Sequence, residues 1–400
     1  MRVLVFSSLF PNEAQPGKGL FVQARLRQLL AYSDISATVV APVPWFPFRS
    51  DRFGKYGEFA RVPSEETQYG IQVLHPRYPV IPKIGMSIAP RLMARALLPT
   101  IRRLHTTKPF DLIDAHYVYP DGVAATLIAR ELALPNTITA RGTDIAVLPR
   151  YRSPRKQILR AIRECGAVIA VSESLKREIA ALGADQSKIT VLRNGVDLDF
   201  FRPREVTAST KSSSSFQLLS VGSLIEVKRH YLAIETLALL PECRLKIAGS
   251  GPLLTELSAL ARDLGVEDRL ELVGQQSQQQ LVELYNEAQC SLLMSSREGM
   301  ANVILESLAC GTPVVATDVG GAGEVLSENV SGRLVNSSSP ADVAHAVRSV
   351  IESRTTADAV RSFAERYSWE PTSRGQLEIF SQLVEHGRTT ATNTFGYAKR

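Results

Sequence analysis

Cysteine is scarce and scattered. The 400 residues hold four, Cys165, Cys243, Cys290 and Cys310, with no Cys-x-x-Cys spacing and no histidine cluster nearby. That gives little support to a zinc site or a disulfide framework and predicts four reduced, mostly buried thiols. No run approaches the ~18 uncharged apolar residues of a membrane span. The opening MRVLVFSSLF is not patterned as a secretory signal and reads as a short strand running into Pro11 and Asn12. A soluble, cytoplasmic protein is expected. No basic run with interleaved aromatics and no RNA-binding motif is expected, and nucleic acid is not expected as a partner. What is present is ordinary for a globular chain: 44% hydrophobic and 22% charged residues. At roughly 150 residues per domain the length predicts two or three domains.

The net charge of +6 hides an asymmetry. Residues 1–205 carry 29 Lys and Arg against 18 Asp and Glu, whereas residues 206–400 carry 17 against 22. A basic half joined to an acidic half suggests two domains with different partners. An anionic membrane surface or an acidic acceptor suits the basic half. Its segment 84–108 sets Arg91, Arg95, Arg102, Arg103 and Lys108 among Ile, Met and Leu at helical spacing, interrupted by Pro90 and Pro99. Two readings stay open for it: a surface helix over the first sheet, or a patch resting on an anionic bilayer.

Short β-rich runs recur at residues 2–6, 37–41, 71–75, 111–115, 136–140, 167–171 and 189–192. They recur again at 216–221, 244–248, 269–273, 290–294 and 313–316, with helically spaced segments between. Near-continuous apolar strands alternating with helices predict parallel sheets covered on both faces. The pattern occurs twice, so the expected fold class is α/β with two Rossmann-like, doubly wound domains. Between the copies, PREVTASTKSSSS (203–215) has almost no apolar content and reads as a linker. The expected division is 1–203, a linker 204–215, and 216–369, with a polar tail at 388–400.

Ligands of open parallel sheets bind beyond the carboxyl ends of the strands. That rule selects the loop with Gly17 and Gly19, then His116, Arg141-Gly142-Thr143-Asp144, and Arg193-Asn194-Gly195-Val196-Asp197. In the second half it selects residues 222–228, Gly249-Ser250-Gly251 and 295–306. Polar loops on one edge of each sheet predict a cleft between the domains. The most informative stretch is SSREGMANVILESLACGTPVVAT, residues 295–317. A strand should end near Met294, a loop carry Glu298 and Gly299, and a helix run from about Asn302 to Gly311. Free N–H groups at that helix start suit a phosphate or sugar oxygen, and the two carboxylates, Glu298 and Glu306, suit vicinal hydroxyls. A plainer role for Glu306 is to complement the helix dipole.

This stretch resembles the Glu-x7-Glu motif of the retaining glycosyltransferases of family 4, which have the two-Rossmann-domain GT-B fold with a cleft between the domains. The likeness extends over nearly the whole chain: the Gly17–Gly19 loop, Asn194-Gly195-Val196-Asp197, residues 222–228, Gly249-Ser250-Gly251-Pro252, and Gly311-Thr312-Pro313. Tyr367-Ser368-Trp369-Glu370 is similar to the family's closing segment, after which a last helix, about 370–387, returns to the N-terminal domain. The resemblance implies that the C-terminal domain binds a UDP- or GDP-linked sugar and the N-terminal domain a saccharide acceptor. Glu306 would hold the ribose hydroxyls and Glu298 the transferred sugar, helped by backbone N–H groups of Gly299, Met300, Ala301 and Asn302. Lys228 would sit on the diphosphate, with Ser223, Gly249 and Gly251 on the donor side. Gly17 and Gly19 would let backbone approach the phosphate. His116 would face the donor sugar. Arg141, Asp144 and Asn194 are candidate acceptor or sugar contacts, although Asp144 could instead cap the following turn.

The resemblance also implies retention. The Asp-x-Asp signature of metal-dependent glycosyltransferases is read as absent, so no metal and no cofactor are expected, with phosphate neutralised by Lys228 and helix-start amides. The chain is similar above all to bacterial polysaccharide-assembly enzymes such as teichuronic-acid glycosyltransferases. That points to a lipid-linked acceptor and peripheral contact with the cytoplasmic face of the inner membrane. Some positions depart from the pattern. Ser223 replaces the usual arginine, leaving Arg229 or Arg193 to compensate, and Arg141, Ser250 and Met300-Ala301 are also unusual. Two other classes are weighed. Gly249-Ser250-Gly251 opens like a dinucleotide fingerprint, as in an epimerase or oxidoreductase, but Leu254 stands where the third glycine belongs. The Ser223 replacement would also suit a non-catalytic nucleotide-sugar-binding protein.

Overall fold

The apolar runs of the first half become the strands β1 (Arg2–Phe6), β2 (Ser36–Val40), β3 (Val43–Pro44), β4 (Glu65–Gln68), β5 (Ile71–Leu74), β6 (Arg77–Tyr78), β7 (Leu112–His116), β8 (Asn136–Ala140), β9 (Ala167–Ala170) and β10 (Ile189–Val191). Those of the second half become β11 (Phe216–Val221), β12 (Cys243–Ala248), β13 (Leu270–Gly274), β14 (Cys290–Leu293), β15 (Val314–Thr317) and β16 (Gly332–Val335). They belong to a computed structural model that describes residues 1–81, 85–204, 215–326 and 329–396. The chain divides into two units, Met1–Arg193 with Glu370–Arg400, and Asn194–Trp369.

The first unit holds a sheet ordered β10-β9-β8-β7-β1-β2-β5-β4, parallel except where β4 pairs antiparallel with β5. The short β3 and β6 pair separately. Both faces of the sheet are covered. Along β1, Leu4 and Phe6 enter one core with Ile113 and Ala115, while Val3 and Val5 enter the other with Val39 and Leu112. This is what an unbroken apolar strand requires, since its side chains alternate between faces. The second unit holds an all-parallel sheet ordered β13-β12-β11-β14-β15-β16. Leu218, Leu245, Ile247, Leu292 and Val315 pack there with the helices His230–Ala238 and Pro340–Glu352. The four cysteines are buried and unbridged.

Several boundaries differ from expectation. From residue 85 on, segment 84–108 holds a 3-10 turn, Gly85–Ser87, and then one helix, Ala89–Thr107, not a broken one. Pro90 falls in its first turn, where a missing N–H costs nothing, and Pro99 lies inside on the exposed side. Its apolar residues Met93, Leu97 and Ile101 are consumed by the first core, so the face left open carries Arg91, Arg95, Arg102 and Arg103. The last helix runs from Trp369 to Gly396, well into the expected tail. Its Phe380 and Val384 join the core of the first unit with Val3 and Leu112. The expected linker 204–215 lies, except for its ends, outside the described residues.

Residues 194–203, expected in the first domain, belong instead to the second unit. The reason is Arg361, whose guanidinium donates to the carbonyls of Leu198, Phe201 and Ala309. Phe201 also packs edge-on against Tyr285, and Val196 bridges to Ser368. Replacing Arg361 by Met should remove about 2 kcal/mol, since three carbonyls lose a charged donor. The melting transition of the second unit should then fall by roughly 4–8 °C in a thermal scan.

Candidate functional site

In a parallel sheet the loops splay apart where the chain order reverses, and that crevice is where ligands bind. In the second unit the reversal lies between β11 and β14. The loop after β11 carries Lys228, and the loop after β14 carries Glu298, so two neighbouring strands deliver the expected cation and carboxylate. Lys228 Nζ donates to Glu298 Oε1 at 2.5 Å, and Ser295 Oγ donates to the same oxygen at 2.6 Å. The lysine and glutamate side chains retain 23% and 12% exposure, enough for solvent or a ligand to reach them.

The helix after Glu298 is Asn302–Ala309, as expected, with Met300 and Ala301 buried just before it. No side chain caps its start. Asn302 Oδ1 accepts from Asn194 Nδ2 at 2.9 Å, which brings that candidate beside the Glu loop. Glu306 lies half-buried on the second turn. Tyr285 Oη donates to its Oε2 at 3.1 Å. Burial, only partly opposed by this bond, pushes the Glu306 carboxyl up to about 7.

The Gly249–Gly251 stretch serves the loops themselves. At Gly249 (φ 156°) a side-chain carbon would lie 1.9 Å from the carbonyl oxygen of Gly222. Leu224 N donates to the Ser250 carbonyl, and Gly249 N to that of Gly274. The glycine pattern is explained by one loop lying on another, which removes the motive for a dinucleotide fingerprint. Ser223 sits exposed on the neighbouring loop.

Arg229 does not stand in for the missing arginine. Its guanidinium is committed to the carbonyls of Met294 (2.6 Å) and Ser295 (2.9 Å) and to Ser338 Oγ (2.7 Å). It holds the start of the Glu298 loop from a left-handed backbone conformation (φ 48°), uncommon for a residue with a side chain. Arg193, the other candidate, falls in the first unit.

In the first unit the order reverses between β1 and β7. His116, the last residue of β7, is there but enclosed. Its Nδ1 accepts from Arg141 at 2.7 Å, which leaves Nε2–H to donate to Asp114 Oδ2 at 3.1 Å. Asp114 also accepts from Thr137 Oγ1 (2.7 Å) and from Gln376 Nε2 (2.9 Å) of the last helix. Gln376 Oε1 in turn accepts from the buried Arg25 at 2.7 Å. Burial, the largest cause, and Arg141 hold the imidazole below its ordinary range, so it is neutral at pH 7. Burial works to raise Asp114, but His116, Thr137 and Arg25 outweigh it and keep the carboxylate ionised.

Asp144 takes the turn-capping alternative. It is fully buried and accepts backbone N–H bonds from Val118, Arg141 and Gly142 at 2.7–3.2 Å. Arg141 itself lies 5.1 Å over the Phe21 ring. Gly19 starts the helix Leu20–Tyr32 at φ 68°, and a side chain there would strike the Leu9 carbonyl at 2.3 Å. Its need for glycine is therefore internal, whereas Gly17 is exposed in the same loop. Against expectation, an Asp-x-Asp spacing does occur, at Asp197-Leu198-Asp199. Asp197 Oδ1 there accepts the N–H groups of Asp199 and Phe200 and shapes a turn.

Sequence reasoning missed Asp114, Arg25, Gln376 and Tyr285. Asp114 had a readable signal: a carboxylate two residues before His116 on an apolar strand shares its face and needs a partner. Tyr285 and Gln376 had none, because only the tertiary fold brings them in.

Comparison with known proteins places this arrangement. Residues 24–200 match the profile described as Glycosyltransferase Family 4, and residues 201–367 that of Glycosyl transferases group 1. A D-inositol 3-phosphate glycosyltransferase of Mycolicibacterium smegmatis is 30% identical over 307 residues, 71% of this chain and 70% of its own length. The chain belongs to the family 4 glycosyltransferases. TuaC of Bacillus subtilis, assigned to teichuronic acid biosynthesis, is 27% identical over 82% of this chain and 84% of its own. Among solved structures, sucrose-phosphate synthase of Thermosynechococcus elongatus superposes with a TM-score of 0.78 at 17% identity, covering 96% of this chain and 99% of its own. HepE of Anabaena, in complex with UDP, gives 0.73 at 20%, covering 96% and 100%. The fold of this glycosyltransferase is accordingly GT-B, two parallel-sheet α/β domains.

Two measurements check the local physics. Folded Glu306 binds its proton more tightly than an unfolded glutamate near 4.5. Its contribution to stability should therefore fall as pH rises from about 4.5 to about 7 and stay flat above. Glu306→Gln should remove that slope from the melting temperatures. At position 229, Arg229→Ala loses the guanidinium and keeps the strained φ, whereas Arg229→Gly loses the guanidinium and is relieved of that strain. The alanine variant should be less stable than the glycine variant by about 1 kcal/mol in denaturant unfolding.

Proposed function

We propose that this glycosyltransferase moves a sugar, with retention of anomeric configuration, from a nucleoside-diphosphate donor to a lipid-linked saccharide in polysaccharide assembly. The observation that carries the donor half is the Lys228–Glu298 pair at the reversal point of the second sheet, with Glu306 on the helix that follows. An arriving diphosphate takes Lys228 from Glu298. The freed carboxylate then accepts from hydroxyls of the sugar, while Glu306 holds the ribose and the amides from Gly299 to Asn302 steady the donor. As the bond from the anomeric carbon to the β-phosphate oxygen breaks, charge grows on that oxygen. A lysine already in place stabilises it without reorganisation.

The acceptor oxygen attacks from the face the phosphate leaves, and its proton passes to the departing phosphate. Lys228 and the helix-start amides supply the neutralisation, so transfer proceeds without a divalent cation. In the first unit, His116 is held as a neutral ring by Asp114 and Arg141, so meeting the donor sugar would require a sugar hydroxyl to replace one of those two partners. The UDP complexes of HepE favour a uridine diphosphate sugar over a guanosine one. The name of TuaC and the open arginine face of the helix Ala89–Thr107 favour a lipid-linked acceptor at an anionic membrane surface on the cytoplasmic side. No helix among the described residues is long and apolar enough to cross a membrane.

A thermal-shift panel of UDP, GDP and ADP sugars followed by transfer assays tests this reading. A uridine diphosphate sugar should stabilise the protein most and support transfer in excess EDTA. Lys228→Met should lower kcat by about 100- to 1,000-fold. Failure of every nucleotide to bind, or trapping of a covalent glycosyl–enzyme on Glu298, would refute it. UDP affinity should also rise with pH through about 7 as Glu306 ionises, and Glu306→Gln should weaken binding and flatten that profile.

A further inference from the structure

Residues 45–61 form a surface that the transfer chemistry does not use. Here aromatic and basic residues interleave, in the stretch WFPFRSDRFGKYGEFAR, against the expectation that no such run occurs. Trp45 is 60% exposed, Phe48 54% and Tyr56 36%, a concentration of exposed aromatic surface far above the scattered apolar residues of an ordinary exterior. The exposure is held in shape from within. Phe46 contacts Phe48, Phe53 and Tyr56 with ring centroids 5.3–5.9 Å apart, and Phe48 stacks on Phe53 at 5.3 Å. The stretch is also anchored. Trp45 N donates to the Tyr78 carbonyl at 2.8 Å, and the Arg77 guanidinium donates to the carbonyls of Phe59 and Val62.

Charge decides what such a surface fits. Arg61 is paired with Asp51, and Glu58 accepts from Gln15. Arg49, Arg52 and Lys55 are exposed and make no ion pair among the described residues. Arg52 lies 4.8 Å over the Phe53 ring and Lys55 5.7 Å over that of Tyr56. Exposed aromatics beside cations without an acidic partner match the two layers of a bilayer interface. Tryptophan and tyrosine rings settle among the headgroups, and lysine and arginine are drawn to anionic lipid. The stretch leaves the sheet at the carboxyl ends of β2 and β5. It touches the glycine loop through Gln15–Glu58 and through Lys18, 5.6 Å over the Phe59 ring.

The geometry points to residues 45–61 as a membrane-docking element that inserts Trp45 and Phe48 into the interface of an anionic bilayer. Binding there presents the acceptor-side edge of the first sheet to the lipid surface. The element is separate from the arginine face of the helix Ala89–Thr107, which has no exposed aromatics and offers charge alone. In purpose the inference rests on the lipid-linked acceptor proposed above, but docking requires neither donor nor acceptor.

The chain carries its own reporter. It has two tryptophans, and Trp369 is buried, so vesicle-dependent fluorescence changes arise at Trp45. The full-length protein is titrated with phosphatidylcholine vesicles containing about one third phosphatidylglycerol, and with pure phosphatidylcholine. Anionic vesicles should shift the emission to the blue and shield Trp45 from iodide, with little response to the neutral ones. Trp45→Ser/Phe48→Ser should weaken vesicle co-sedimentation about tenfold or more. Arg49→Gln/Arg52→Gln/Lys55→Gln should weaken it roughly 100-fold at low salt, from about fivefold per charge. Both variants change exposed positions, and unchanged melting temperatures would confirm that they fold.

Absence of a blue shift with anionic vesicles would overturn the proposal. So would equal binding by the aromatic double variant, or a Trp45 response to single-stranded RNA in place of vesicles. Vesicle binding without any transfer activity would instead count against the enzymatic reading and leave the docking element standing.

Discussion

Parallel strands with crossover helices on both faces leave one place where successive connections run in opposite directions, and the chemistry of this protein depends on it. In the first sheet that place is between β1 and β7, in the second between β11 and β14. Loops that splay there lose the hydrogen bonds of the ladder and need other support. The two units supply it differently. In the first, carboxylates do the work: Asp144 accepts three backbone N–H groups, and Asp121 accepts both the amide and the hydroxyl of Ser8. In the second, Arg229 clamps the end of β14, and loops without side chains lie on one another.

The same contrast separates fixed charge from exchangeable charge. Arg25, Asp114 and His116 are enclosed, Arg141 is half-buried beside them, and all are joined to one another or to Gln376. A network like this makes removal of any one member costly, because its partner is left buried and uncompensated. It suits a platform that must keep its shape. Lys228 and Glu298 form a partly exposed pair with little else holding the ammonium, and an anion can replace the carboxylate at small cost. Glu306 lies between these cases, since its proton is held only by burial and is released near neutrality.

Much of the fold was legible because apolar strands of five or six residues announce themselves. Every expected strand is present to within a residue or so at each end. Those that escaped had weak patterns. β16 begins with Gly332 and Arg333, and β4 is a polar edge, Glu65–Gln68, whose partner β5 alone dictates its conformation. The site was legible where spacing along one element decides it, as with Glu298, the helix at Asn302 and Glu306. It was illegible where a side chain crosses between elements. Arg229 reads as a spare cation until its three acceptors are seen, and His116 reads as a ring facing the donor sugar until Arg141 and Asp114 are seen to occupy both nitrogens. The boundary falls at residue 194 instead of 203 for the same reason: Arg361, 160 residues beyond Phe201, ties the intervening stretch to the second unit.

The last helix carries a consequence for biosynthesis. The first unit draws Phe380, Val384 and Gln376 from the end of the chain, so its apolar seam and its Arg25–Gln376–Asp114 network stay open while the ribosome makes the intervening residues. The second unit is contiguous, and it is complete by Trp369. The half translated first is therefore the half finished last. A nascent chain must shelter that uncovered seam until its final helix emerges.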